Sequence, residues 1–259
     1  MKKTVTGIIM GLLFLSLAGC GSANSSGNQA TSAGASKQSI TFATSPDGPP
    51  FTYKENGKLT GFDIDLVEQI AKKENLDVKW NEMKFDGIIP ALQAKQVDGA
   101  VSAITIREDR KKVTNFTDPY YDSGLVLVVK KGSPIHSLTD LKGKTIVAKQ
   151  GSSGLAKAKE LANQYGAKVK ILEDEATLYM DVQNGGSDAL INDLPFVAVK
   201  IKSGSASDLQ IVGDKLTGEQ YGIAIAQGKE DLLTKFNQGL KEMKDNGEYK
   251  KLYDNYFGA

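Results

Sequence analysis

Residues 78–103 read VKWNEMKFDGIIPALQAKQVDGAVSA, and the spacing within this stretch decides the fold. Val78-Lys79-Trp80 has the β-branched and aromatic content of a short strand. Asp86 stands where a helix cap is wanted, ahead of Ile88, Ile89 and Leu92 at helical spacing. Pro90 fits that helix only if it falls in the first turn. Gly99-Ala100-Val101-Ser102-Ala103 then returns as a run of small and apolar residues, as a buried strand requires. Strand, helix and strand in succession call for a parallel sheet with helices on its faces.

The alternation extends in both directions. Upstream, Ile40-Thr41-Phe42-Ala43-Thr44 alternates into a strand that stops at the turn formers Ser45-Pro46-Asp47-Gly48-Pro49-Pro50. Residues 53–59 read as a hairpin around Asn56-Gly57. Phe62, Leu66 and Ile70, with Val67 and Ala71 beside them, predict a helix that Asp63 or Asp65 could cap. Downstream, 125–129 is a continuous apolar strand, after which the pattern restarts. Strands are expected at 145–148, 169–172, 189–191, 211–212 and 221–226. Helices are expected from Gly151-Ser152-Ser153-Gly154 through Leu161, at 176–182, at 195–201, and at 232–256 with a break at Gly247. Two α/β units make a two-lobed protein.

Composition narrows the function classes. The 259 residues carry 32 Lys+Arg against 31 Asp+Glu, and 40% are hydrophobic. That balance excludes a wholly disordered or collagen-like chain and argues against nucleic acid as a partner. A single Cys excludes an intrachain disulfide. One Cys and one His leave no Cys/His zinc site within this chain, and no metal or other cofactor is called for.

That one cysteine sits in an export signal. Lys2 and Lys3 precede an uncharged, mostly apolar run at 7–18, too short for a comfortable membrane span, followed by Leu17-Ala18-Gly19-Cys20. Cys20 after Leu-Ala-Gly resembles the lipobox of bacterial lipoproteins, whose cysteine is diacylated and becomes the mature N-terminus; a signal anchor with an incidental cysteine is the plainer alternative. Loss of residues 1–19 leaves 30 basic residues against 31 acidic ones. Residues 20–37 then form a lipidated cysteine and a tether built mainly of Gly, Ser, Ala, Asn, Thr and Gln, which has no core to bury.

Three segments carry more than fold-level information. They are Gly61-Phe62-Asp63-Ile64-Asp65-Leu66; Ser102-Ala103-Ile104-Thr105-Ile106-Arg107-Glu108-Asp109-Arg110, continuing to Phe116-Thr117-Asp118-Pro119-Tyr120-Tyr121; and Asn192-Asp193. In this order and spacing the chain resembles the polar amino-acid solute-binding proteins that serve ABC importers, over nearly all of residues 40–257. The resemblance implies a periplasmic-binding-protein-like α/β fold. Two Rossmann-like lobes, 38–124 and 125–222, would be joined by two crossing strands near 125–128 and 221–224, with 223–259 returning to the first lobe. It implies a monomeric binding protein with no catalytic residues, anchored by lipid on the outer face of the cytoplasmic membrane. Such a protein captures a free amino acid by hinge closure and hands it to the membrane permease.

The resemblance also implies a site, and each residue has a plainer reading. Arg110 and Thr105 would hold the ligand carboxylate, with Ser153 and Ser152 donating from the opposite lobe. An arginine fork suits two carboxylate oxygens, yet Arg110 could equally be a solvated helix charge, as Arg107, Lys111 and Lys112 beside it are read. Ser152 or Ser153 could be no more than a helix cap. Asp193, the backbone carbonyl of Ala103, and Thr105 would receive the ligand ammonium; before Leu194-Pro195, Asp193 is also an ordinary turn former. Phe85, Lys149, Asn192, Ser45 and Asp47 would meet the ligand side chain. Many relatives place a second aromatic where this chain has Gly48. Ser45, where basic amino-acid binders often keep Asp, argues for a neutral polar or acidic ligand, glutamine first, while Asp47 keeps a cation open.

Two rival functions share the fold: an exported dehydratase-like enzyme and a ligand-sensing receptor. The only His, His136, lies outside every pocket segment and reads as a surface residue. Trp80 reads as core. The lysines of the last helix read as a solvated face, with a permease contact as the sharper alternative.

Overall fold

The computed structural model describes residues 37–258. The signal peptide, Cys20 and the tether up to residue 36 lie outside the described residues. The described chain forms two five-stranded sheets with helices against them.

The first sheet takes β1 (Gln38–Thr44), β4 (Leu76–Glu82), β5 (Gly99–Ala100), β6 (Thr114–Phe116) and β14 (Ala224–Ala226), in the order β4-β1-β5-β14-β6. The small hairpin β2 (Tyr53–Glu55) and β3 (Lys58–Thr60) turns at Asn56-Gly57. The second sheet takes β8 (Leu125–Lys130), β9 (Thr145–Lys149), β10 (Lys168–Leu172), β11 (Ala189–Asp193) and β12 (Leu209–Val212), in the order β10-β9-β11-β8-β12. In each sheet, strands joined through helices pair in parallel, as β1 does with β4 and β5 and β9 with β10 and β11. The strand that enters from the other sheet, β14 or β8, runs antiparallel to its neighbours, so both sheets are mixed rather than parallel throughout.

The crossings are β7 (Tyr121–Ser123) and β13 (Glu219–Tyr221), paired antiparallel to one another. The first lies ahead of the expected 125–128, whose residues are already inside the second sheet. Tyr121 and Tyr221 stack there at 5.6 Å between centroids, with Phe51 edge-on to both. Helices α7 (Glu230–Asp245) and α8 (Glu248–Phe257) pack on the first sheet through Phe236, Leu240, Met243 and Leu252. The second sheet has a core on each face: Leu127, Val129, Ile146 and Leu161 on one side, Val126, Val128, Leu178 and Val197 on the other.

Three local expectations are corrected. Helix α1 (Phe62–Lys73) begins after Gly61, so Asp63 is not its cap but a buried residue of its first turn. Helix α2 (Phe85–Gln93) begins after Lys84, and Asp86 caps nothing. Pro90 therefore falls beyond the first turn; the carbonyl its missing N–H leaves free belongs to Asp86, an exposed residue open to water. The strand expected at 99–103 ends at Ala100, because the chain turns at Ala103, whose φ is 48°. Gly99 is obligatory in what remains: a Cβ there would lie 2.4 Å from the Phe42 ring.

Candidate functional site

The ends of β9 and β11 and the turn before α5 (Glu175–Gln183) meet the loops after β1 and β5, the crevice position expected at strand C-termini in an α/β fold. Arg110, on the short helix α3 (Glu108–Lys111), is only 4% exposed. Its Nη1 donates to the Thr105 carbonyl at 2.8 Å and its Nη2 to the Gly151 carbonyl, on the second lobe, at 3.0 Å. Burial pulls its pKa down to about 10, helped by Arg107 and opposed by Asp109, Asp193 and Glu219, so it stays charged at neutral pH. Arg107 is not the solvated charge it was read to be: its Nη1 reaches the Ser152 carbonyl at 3.2 Å.

The two serines divide the roles proposed for them. Ser152 caps α4 (Ser153–Tyr165), accepting from the Leu155 N–H at 3.0 Å while donating to the Lys149 carbonyl at 2.8 Å. Its hydroxyl is committed. Ser153 Oγ is buried and has no partner among the described residues, which makes it the better donor toward a ligand carboxylate. Thr105 Oγ1 donates to Glu219 at 3.0 Å.

Asp193 ends β11, buried, with its Oδ1 accepting from the Tyr221 hydroxyl at 2.7 Å and the Ser123 hydroxyl at 3.2 Å. Burial raises its pKa to about 7; Glu219 and Glu175 push the same way, and the two hydroxyls oppose them. Ala103 holds its left-handed turn because its N–H donates to Asp63 Oδ2 at 2.6 Å. Asp63, completely buried, is likewise raised to about 7, chiefly by burial.

The remaining candidates converge on a second group. Lys149 Nζ bonds both oxygens of Asp47, at 2.9 and 2.7 Å, and lies 5.2 Å over the Phe85 ring. The Arg110 guanidinium lies 5.7 Å over the same ring, so Phe85 is a platform between the two groups. Ser45 Oγ donates to Asp47 Oδ1 at 2.9 Å, and Asn192 Nδ2 donates to Glu175 Oε1 at 2.5 Å and to the Tyr179 hydroxyl at 2.9 Å. Glu175 was missed from the sequence. Its signal was positional: it follows β10 as Lys149 ends β9 and Asn192-Asp193 end β11. Phe196 was missed as well. A Cβ on Gly48 would lie 2.8 Å from its Cε1, so the Phe196 ring lies directly against Gly48 and leaves no room for a side chain there.

The other residues weighed lie away from this crevice. His136 is exposed, and Trp80 is half-buried against Phe42 with its Nε1 donating to Glu68. Lys241 and Lys250 are exposed, paired within their helices to Asp245 and Asp254. Among the described residues no helix is long and apolar enough to cross a membrane, and no group of three His, Cys, Asp or Glu is arranged to hold a metal.

Known proteins share this architecture. The family described as bacterial extracellular solute-binding proteins, family 3, matches residues 40–259. The arginine-binding extracellular protein ArtP of Bacillus subtilis (strain 168) is 38% identical over 259 residues, covering 99% of this chain and 98% of that one. An ancestral arginine-binding protein solved with arginine superposes with a TM-score of 0.81 at 41% identity, covering 86% of this chain and 100% of its own. An ancestral arginine-binding protein solved with glutamine gives 0.79 at 41% identity, covering 85% and 98%.

Proposed function

The chain belongs to family 3 of the bacterial extracellular solute-binding proteins, and from that premise we propose that it is the lipid-anchored binding component of an ABC importer. It captures one free polar amino acid between its lobes and delivers it to the permease. The observation that carries this reading is a pair of buried groups of opposite charge, Arg110 beside the first sheet and Asp193 in the second, with Asp193 near enough to favour the charged form of Arg110. Their buried partners are hydroxyls and carbonyls rather than each other. Such a pair complements the carboxylate and ammonium of a zwitterion. A ligand gripped from both lobes favours the closed arrangement through contacts that the open one lacks.

The resemblance points first to glutamine, through Lys149 and Asn192, although Lys149 is paired with Asp47 and the Asn192 amide with Glu175 and Tyr179. A cationic amino acid is the second reading, favoured by the buried carboxylate of Glu175. Calorimetry with a panel of free amino acids tests both. The expected result is saturable one-to-one binding of one polar class, with the ligand recovered chemically unchanged. No binding by any amino acid, or a new product, would overturn the proposal. Lipid anchoring is tested separately: Cys20→Ala should release the protein into the medium or leave the signal uncleaved, and acylated product from that variant would refute it.

A further inference from the structure

We propose that Glu175 is the specificity-determining residue of this site, its carboxylate giving the side-chain end one uncompensated negative charge that selects a ligand ending in a cation, a guanidinium or an ammonium, over one ending in an amide. The inference rests on the amino-acid-binding reading above and deepens it by naming the ligand's end group.

The charges present carry the argument. Lys149 neutralises Asp47 through both carboxylate oxygens, and the same carboxylate also accepts from the Ser45 hydroxyl and, at 3.2 Å, from the Glu175 N–H. Four bonds from three donor groups saturate it, so Asp47 has little left to offer a ligand. Glu175 is only 3% exposed, yet its side-chain bond comes from a neutral donor, the Asn192 amide. One lysine against two carboxylates leaves the excess on Glu175. Burial raises the Glu175 pKa and Asp47 adds to this, while Lys149, Asn192 and Tyr179 oppose it; Glu175 also opens helix α5, whose N-terminal dipole favours a negative charge there. Its own N–H ties it to Asp47 and its carboxylate to Asn192, so the excess charge sits beside the Lys149–Asp47 pair, and that lysine lies over the Phe85 ring. A cation there gains a charge-assisted bond that an amide cannot match.

The test is Glu175→Gln in the full-length mature protein, with calorimetric affinities for arginine and glutamine measured on variant and wild type. Glutamine at this position keeps the shape and an acceptor for Asn192 and removes only the charge. The ratio of arginine to glutamine affinity should fall by about 10- to 100-fold, while Glu175→Asp, which keeps the charge, should hold that ratio within about threefold. An equal loss for both ligands, or an unmoved ratio, would assign Glu175 a structural role and overturn the proposal. So would wild-type protein that binds glutamine and neither arginine nor lysine. Wild-type protein that binds no amino acid at all sinks the function itself, a result distinct from those.

Discussion

The two ends of the site treat charge in opposite ways. At the end built from Arg110 and Asp193, the buried charges rest on backbone carbonyls and hydroxyls: Thr105 and Gly151 for the guanidinium, Tyr221 and Ser123 for the carboxylate. At the other end, Lys149 and Asp47 are already paired with each other, and Glu175 alone rests on a neutral donor. A charge held by neutral partners keeps most of its pull for an ionic ligand. A charge closed into an ion pair across the cleft has spent that pull on holding the lobes together. The first end is therefore suited to what every amino acid shares, and the second to what distinguishes one from another.

The harshest way to break this comparison is Arg110→Ala. If the first end is general, affinity should fall about 1,000-fold or more for every ligand alike, leaving Asp193 buried without its counter-charge. Calorimetry on at least two ligands checks this, and a ligand-selective loss would move Arg110 to the other end.

Acid offers a milder perturbation. Asp193 sits near pKa 7 against an ordinary 3.8, so the ligand-free fold binds a proton between those values that the unfolded chain does not. Its contribution to ligand-free stability is thus present at low pH and is lost as pH rises through the window from about 4 to about 7. Affinity runs the other way, because the ammonium needs the ionised form. Lowering the pH from about 7.5 to about 5.5 should weaken binding about 20-fold. In Asp193→Asn, where binding is weaker throughout, that slope should vanish; a slope that survives would assign the titration to Asp63, which acts through Ala103.

The smallest expected effect sharpens the division between the serines. Ser153→Ala should weaken binding about 10-fold with little change in melting temperature. Ser152→Ala should do the reverse, removing about 1 kcal/mol of stability with the cap and leaving affinity within about twofold. Exchanged outcomes would exchange their roles.

Elements with long, unbroken apolar patterns were legible in the sequence. β8, β9 and β11 and helices α4 and α7 stand near where periodicity placed them, since their signal is local and strong. The starts of α1 and α2 were not. Asp63 reads as a cap by residue type, but its carboxylate serves an N–H 40 positions further along the chain, and no local pattern encodes that. The site divides in the same way. Arg110 and Asp193 lie in motifs, and Ser153 and Lys149 were reached through the resemblance, whereas Glu175, Phe196 and the contact of Arg107 depend on what packing brings opposite them: Asn192, Gly48 and the Ser152 carbonyl. Phe196 is especially hard to read, because the ring that lies against Gly48 comes from a helix of the other lobe.

The two hydroxyls on Asp193 come from Ser123 and Tyr221, one on each crossing strand. In the capture proposed above the lobes would turn about those strands, and Asp193, bonded to both, would stay near the axis while the rest of its lobe moves. Lys84 of the first lobe and Glu173 of the second form an exposed ion pair. A ligand held at Asp193 would thus act on both crossing strands at once, and so on the one place through which each lobe is joined to the other.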